Sequence, residues 1–459
     1  MTSTLDGEPR TPHDREGPGA DRGDAGPPTV AGAIPGVPTG PLGPTGRGDR
    51  IDAIDTLRGV ALLGIFVMNI PIFAFTGTAF FNPPAGGGFE GPDYFTWLVS
   101  HLLFDMKMMA IFSMLFGAGV ALMAERMEST NRKPAAVHYR RMLWLLAIGM
   151  VHAYLIWFGD ILVAYALVGM MVYPLRRLRI KWLLLLAGLL LPVAMVFSGL
   201  QQLLFETMRS AEEGGWADAW QDTSIMFYPT EASLADENEA ALGGFFNRAL
   251  SHAPSVIFMQ TWVFATWALW RVSALMLLGM ALHKSGVFKA ARSTRFYAIM
   301  LVMGVALGGG LVGAGVLVNH ANDYDPVAFF GVVGWFNYLG SVGVALAWVA
   351  LVMLLCKSGA IAWLRHALAS VGRMAFTNYL SQSLIGAFIF YGWGLGYFGQ
   401  FSRIELVPIV LGVWAFQLIA SPLWLSKFRF GPMEWVWRSL TYWKPAPMLR
   451  THATGTDPA

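Results

Sequence analysis

Two things that soluble proteins use freely are scarce in this chain of 459 residues. It has one cysteine, Cys356, which excludes an internal disulfide, and its place inside an apolar run makes that thiol a small packed hydrophobe. Charged residues make up only 13%, about half the ~25% of an ordinary soluble domain. The balance of +3 is too small to point to nucleic acid, so no nucleic-acid partner is expected. Clusters of Cys and His at ligand spacing are missing, so no metal is expected. There is also no glycine-rich nucleotide loop in a strand-to-helix context. The first fifty residues, rich in Pro, Gly, Asp and Arg, lack the seven or more consecutive apolar residues of a signal peptide. Residues 1–50 are therefore expected to form a disordered cytoplasmic tail, and 446–459 a second, short one.

What is present in quantity is apolar: 55% hydrophobic and 14% aromatic residues, with a mean hydropathy of +0.50. From Asp55 onward the chain divides into apolar runs of roughly 20 residues, the length that crosses a bilayer core. Ten are expected, at 56–76, 95–124, 141–158, 160–175, 182–205, 257–282, 296–317, 328–356, 370–394 and 405–426. The predicted fold is all-α, a polytopic membrane helix bundle over 51–445. The second and eighth runs are long enough to be tilted or broken, and the fourth is short. Lys and Arg collect in alternate loops, among them Arg126, Arg132, Lys133, Arg140 and Arg141, then Arg176, Arg177, Arg179 and Lys181. Cytoplasmic loops retain such residues, so both termini are placed in the cytosol and 206–256 becomes an extracytoplasmic loop, either a cap over a cavity mouth or an interfacial helix. The glycines of GVALGGGLVGAG in the seventh run suit close helix packing.

A charged group at the centre of a membrane helix costs about 2.5 to 3.5 kcal/mol, so each needs a partner, a water-filled cavity or a function. On the first helix Arg58 and Asn69 fall within about 20° of each other at 100° per residue, and Asp55 about 60° from Arg58. One face is thus polar from end to end, although Asp55 and Arg58 also suit a cap and an interfacial pair. Asp105 and Lys107, two apart, point about 160° away from one another on a continuous helix, and each is expected to need its own neighbour. Arg271 is mid-span between tryptophans and should face the interior. In GRMAFTNYLSQS, Arg373, Thr377 and Ser381 recur every four residues, with Asn378 and Gln382 as an adjacent row, a face too polar for lipid. Glu434 and Arg438, at i,i+4 among tryptophans, suggest an interfacial helix. The stretch HAYLIWFGDIL puts His152 near mid-membrane and Asp160 at a turn before the next helix. Histidine is the candidate for chemistry; the aspartate either caps the helix or orients the imidazole.

The segments DTLRGVALLGIFVMNI, FSMLFGAG, HAYLIWFGDIL, GRMAFTNYLSQS and FGPMEWVWRSLTY resemble, in order across 51–445, the bacterial YeiB-like family, a domain of unknown function. This resemblance implies a multi-pass protein of the bacterial inner membrane. The set Asp55, Arg58, Gly59 and Asn69 is also similar to the first helix of heparan-α-glucosaminide N-acetyltransferase and its relatives. Those enzymes take acetyl groups from cytosolic acetyl-CoA to an acceptor across the membrane. The relatives' catalytic histidine follows their asparagine, whereas here the region reads IPIFAFTGTAFFNPP without one.

An acyltransferase reading follows, with acyl-CoA as co-substrate and a small-molecule, glycan or lipid acceptor. Arg58 and Arg373 would hold phosphates, His152 would act as general base and Asn69 would position the carbonyl or its oxyanion. Two other readings stand beside it. One is a proton-coupled transporter lined by Asp105, Lys107, His152 and Arg271; the other is a scaffold whose buried charges fix helix packing. Oligomeric state is left open.

Overall fold

The computed structural model describes residues 52–450; the 1–50 tail and the 451–459 part of the second one lie outside the described residues. Among the described residues the regular structure is helical, apart from one isolated antiparallel bridge between Phe428 and Leu449. In chain order the helices are α1 (Asp52–Ala74), α2 (Thr78–Phe81), α3 (Gly91–Leu103), α4 (Lys107–Ser129), α5 (Pro134–Leu155), α6 (Leu162–Val172) and α7 (Ile180–Arg209). There follow α8 (Gly215–Ser224), α9 (Glu231–Leu242), α10 (Phe245–Phe258), α11 (Leu269–Lys284), α12 (Thr294–Met303) and α13 (Gly310–Ala321). The last are α14 (Pro326–Phe329), α15 (Val332–Ser358), α16 (Ala362–Arg373), α17 (Ala375–Phe390), α18 (Leu406–Lys427) and α19 (Pro432–Tyr442). Wider π-turns at Met259–Ala268 and Gly304–Gly309 join α10 to α11 and α12 to α13.

Among the described residues, seven helical segments are long and apolar enough to cross a membrane: Asp52–Ala74, Gly91–Ser129, Ile180–Arg209, Phe245–Lys284, Thr294–Ala321, Val332–Ser358 and Leu406–Lys427. The other three expected runs are helices too, but α6 has 11 residues and α17 has 16. At 1.5 Å per residue α6 spans only about 16 Å, roughly half a bilayer core. The second run is broken at Phe104–Met106. Met106 adopts a left-handed φ of 60°, which ends α3 and lets α4 start at Lys107.

Glycines set where the helices meet. A side chain at Gly59 of α1 would strike the Leu368 carbonyl of α16, and one at Gly372 of α16 would strike the Asp55 carbonyl of α1. The pair is reciprocal, so both backbones are in contact. Gly117 of α4 and Gly279 of α11 repeat the arrangement against Met276 and Met114. Gly304 and Gly308 meet Gly343 and Gly340 of α15, so the glycine-rich seventh run packs as its composition suggests. Around these contacts one core joins Leu57, Leu62, Met108, Ile111, Met114, Val349 and Val371, all fully or nearly fully buried.

α19 is tied to the bundle at the α16–α17 junction. The Glu434 carboxylate accepts from the Phe376 and Thr377 backbone N–H groups, at 2.7 and 3.2 Å, and from the Thr377 hydroxyl at 2.6 Å. It thus satisfies the open donors at the start of α17, where helix polarity favours an anion. The acid of the i,i+4 pair expected on a surface helix is turned inward as a helix cap. Trp437 adds a bond from Nε1 to the Arg141 carbonyl of α5 at 2.9 Å.

Candidate functional site

α5 ends one turn after His152, and Ile156 and Trp157 both donate backbone N–H groups to the His152 carbonyl. The chain then turns through Gly159, where a side chain would hit the Trp157 indole, and α6 begins at Leu162. This tight corner returns Asp160 to His152. The Asp160 Oδ2 lies 2.7 Å from His152 Nδ1, while Oδ1 accepts from the Val163 N–H at 2.9 Å. The aspartate therefore does both jobs considered for it, helix cap and imidazole partner. The two side chains are only 1% and 2% exposed. Nδ1 facing a carboxylate fixes the tautomer with Nε2 as the basic nitrogen, and Nε2 is buried with no hydrogen-bond partner among the described residues. The Tyr379 ring of α17 stands 5.3 Å from the imidazole.

Asn69, half-buried on α1, makes no side-chain hydrogen bond among the described residues. One turn further along, Phe73 stacks on Trp157 at 4.5 Å. The spacing puts Asn69 and Phe73 on one face of α1, toward the end of the bundle that holds the α5–α6 corner.

Asp105 and Lys107 meet at one residue, contrary to the expectation of separate neighbours. Asn337 of α15 donates from Nδ2 to Asp105 at 2.8 Å and accepts at Oδ1 from the Lys107 ammonium at 2.6 Å. The break at Met106 removes the continuous-helix geometry on which that expectation rested. His101 completes the knot, with its ring 3.2 Å from Asp105 and its carbonyl accepting from Lys107. Arg271 is fully buried and donates to the Tyr338 carbonyl at 2.8 Å and the Ser341 hydroxyl at 2.7 Å, with its guanidinium 4.4 Å over the Tyr338 ring. Asn337, Tyr338 and Ser341 thus present one face of α15 to three charged groups. Sequence reading missed all three, and the signal was a lone asparagine and serine four apart in an apolar run.

Arg58 and Arg373 are brought together at the α16–α17 junction. Arg58 Nη1 pairs with Asp55 at 2.6 Å and points to the Gly372 carbonyl at 3.5 Å; Arg373 donates to Ser370 at 3.1 Å. Arg141, which sequence reading used only as a loop charge, lies 4.2 Å over the Trp437 ring and within electrostatic range of Arg58. Asn378 and Gln382 are used for helix contacts. Asn378 Nδ2 donates to Ser421 at 3.0 Å and to the Val371 carbonyl at 3.2 Å; Gln382 Nε2 donates to Gln417 at 2.9 Å and to the Leu62 carbonyl at 3.3 Å. The polar row joins α17 to α18 and α1.

The site therefore has a basic end at Arg58, Arg141 and Arg373, a basic nitrogen near the other end, and a bonded charge knot on α15. Residues 282–444 match the family described as "Protein of unknown function (DUF418)". The chain is similar to the uncharacterized protein YeiB of Escherichia coli (strain K12), 31% identical over 408 residues that cover 86% of this chain and 96% of that one. It is also similar to the uncharacterized protein YxaH of Bacillus subtilis (strain 168), at 29% over 405 residues covering 85% and 94%. No solved structure matches.

Proposed function

The chain belongs to the YeiB-like DUF418 family, and on that premise we propose that it is a membrane acyltransferase, moving an acyl group from cytosolic acyl-CoA to an acceptor at or across the membrane. The observation that carries this reading is the Asp160–His152 pair, held at 2.7 Å with Nε2 free to take a proton. In the reaction Nε2 removes the proton of an acceptor hydroxyl or amine, whose lone pair attacks the thioester carbonyl. The C–S bond breaks, and the leaving thiolate of CoA recovers the proton from the imidazolium. Asp160 holds the tautomer and balances the transient charge. Asn69 meets the developing oxyanion, and Arg58 and Arg373 take the CoA phosphates, with Arg141 beside them. Ten crossings with both termini in the cytosol of an inner-membrane protein fit the Lys and Arg pattern of the loops.

The test is release of CoA thiol from acetyl-CoA and longer acyl-CoAs by the full chain in proteoliposomes supplied with hydroxyl and amine acceptors. Turnover that His152→Gln abolishes supports the assignment; turnover unchanged in that variant removes it. Proton-coupled transport is the second reading, favoured by the Lys107–Asn337–Asp105 knot near Arg271, in which Lys107 is buried and Asp105 is partly exposed. Solute uptake driven by a proton gradient, with no product formed, would replace the first reading.

A further inference from the structure

Just beyond the dyad, four elements enclose a second group of polar side chains that the reaction above does not use. Trp157, of the α5–α6 corner, is 1% exposed, Arg248 and His252 of α10 are 7% and 5% exposed, and Tyr391 after α17 is fully buried. The walls are aromatic. Phe73 stacks on Trp157 at 4.5 Å, Phe158 lies 5.4 Å from His252, Tyr391 lies 5.5 Å from His252, and the Arg248 guanidinium sits 4.4 Å over the Tyr391 ring. Within these walls Trp157 Nε1, Arg248 Nε and His252 Nε2 have no hydrogen-bond partner among the described residues. A buried polar group left so costs stability, and three on side chains that share the same aromatic neighbours call for an explanation.

Donors dominate the group, and the His252 Nε2 and the Tyr391 hydroxyl, likewise without a partner among the described residues, can donate or accept. An indole N–H and a guanidinium can only donate, and Arg248 makes no ion pair among the described residues. Glu237 of α9, an acid within electrostatic range, spends an oxygen on the Gly77 N–H at 2.8 Å. Donors and a positive charge among aromatic walls suit a planar or tetrahedral oxyanion, whose attraction to arginine is strengthened where water is excluded. We propose that Trp157, Arg248 and His252 form a recognition site for an oxyanion, the phosphate or carboxylate of a ligand that approaches from the end of the bundle holding α8 to α10. The backbone N–H of Trp157, not its indole, donates to the His152 carbonyl at 3.0 Å, so the residue that carries the indole borders the dyad. Resting on the acyl-transfer reading, that ligand is an acidic acceptor; the binding itself stands without that reading.

The experiment reads binding, so failure of acyl transfer leaves it untouched. The full chain in phosphatidylcholine nanodiscs is titrated calorimetrically with inorganic phosphate, glucuronate and, as the neutral counterpart, glucose. In parallel its melting temperature is compared between nanodiscs of phosphatidylcholine alone and of phosphatidylcholine with phosphatidylglycerol. Binding of phosphate or glucuronate but not glucose, weakened about tenfold or more by Trp157→Phe and abolished by Arg248→Gln, supports a site for a soluble anion. Stabilisation by phosphatidylglycerol that both variants lose assigns the same site to a lipid headgroup. Trp157→Phe preserves the stack on Phe73, so it decides the matter if Arg248→Gln does not fold. No response to any probe, glucose binding as tightly as glucuronate, or equal binding in Trp157→Phe overturns the proposal.

Discussion

The knot at Asn337, whose Lys107 is buried while Asp105 stays a third exposed, and the buried dyad at His152 are both clusters of titratable groups inside an apolar bundle, yet they are finished differently. In the knot, Asp105 and Lys107 each bond the same amide, and His101 contributes a ring to one and a carbonyl to the other. In the dyad, one nitrogen of the imidazole is held at 2.7 Å and the other meets no partner among the described residues. A cluster closed on itself offsets its desolvation cost internally and fixes how α4 and α15 meet. A cluster left open at one nitrogen retains that cost and keeps a lone pair for a ligand. The difference suits the first region to holding shape and the second to the proposed chemistry, and it can be broken from either side.

The largest effect is expected at the open cluster. His152→Gln should lower acyl transfer about 100- to 10,000-fold, the span of general-base contributions. The glutamine amide can still donate to the buried Asp160 carboxylate, so the melting temperature should fall far less than the rate and the fold should persist. Asp160→Asn should approach that loss, since an amide no longer holds the required tautomer. Rate and melting curve measured on one preparation separate the two effects. A collapse of stability in His152→Gln would make the dyad structural and erase the comparison.

The converse holds for the closed cluster. Asn337→Leu removes the amide that bridges Asp105 and Lys107 and leaves each only its His101 contact. Losing hydrogen bonds to charged groups in this partly exposed cluster typically costs about 1.5 to 3 kcal/mol. Denaturant or thermal unfolding in detergent should show it as a clear shift. A mild effect would mean that water enters the knot and would restore it as a candidate pathway. At a third place, Gly372→Ala should destabilise by about 1 to 3 kcal/mol through overpacking, because the added carbon lands on the Asp55 carbonyl. Gly119→Ala, where nothing lies nearby, is the control, and unfolding of the two side by side checks it.

The helices were legible because apolar runs of crossing length are a coarse signal that survives any local irregularity. The break at Met106 was not, since nothing in FDMKM carries the glycine or proline that usually marks a left-handed residue. That one conformation also decides the partners of Asp105 and Lys107, so an argument from helical angle pointed the wrong way. The meeting of His152 with Asp160 was half legible, from a Gly-Asp turn before a helical run. Arg248 and His252 were assigned to a loop, although their i,i+4 spacing was itself the sign of a helix face. Arg58 and Arg373, 315 positions apart, are joined by the glycine contact of α1 with α16, which periodicity within either segment cannot reveal.

The smallest effect concerns Glu237, whose carboxyl borders the Arg248 group on the outer helices. Burial pushes its pKa above the ordinary value of 4.5, while the Gly77 N–H and Arg248 pull it back in part. A carboxyl raised in the folded state binds its proton more tightly folded than unfolded. Its contribution is therefore fully present below pH 4.5 and is lost as pH rises through the folded pKa. Melting temperature recorded against pH should thus fall gently just above pH 4.5 in the wild-type chain, and Glu237→Gln should flatten that slope. An unchanged slope would show that water reaches the carboxylate, and with it the neighbouring guanidinium. Arg248 would then be hydrated and the contrast between an open and a closed cluster would stop at His152. A flattened slope would extend the dry, open region from the dyad out to α9.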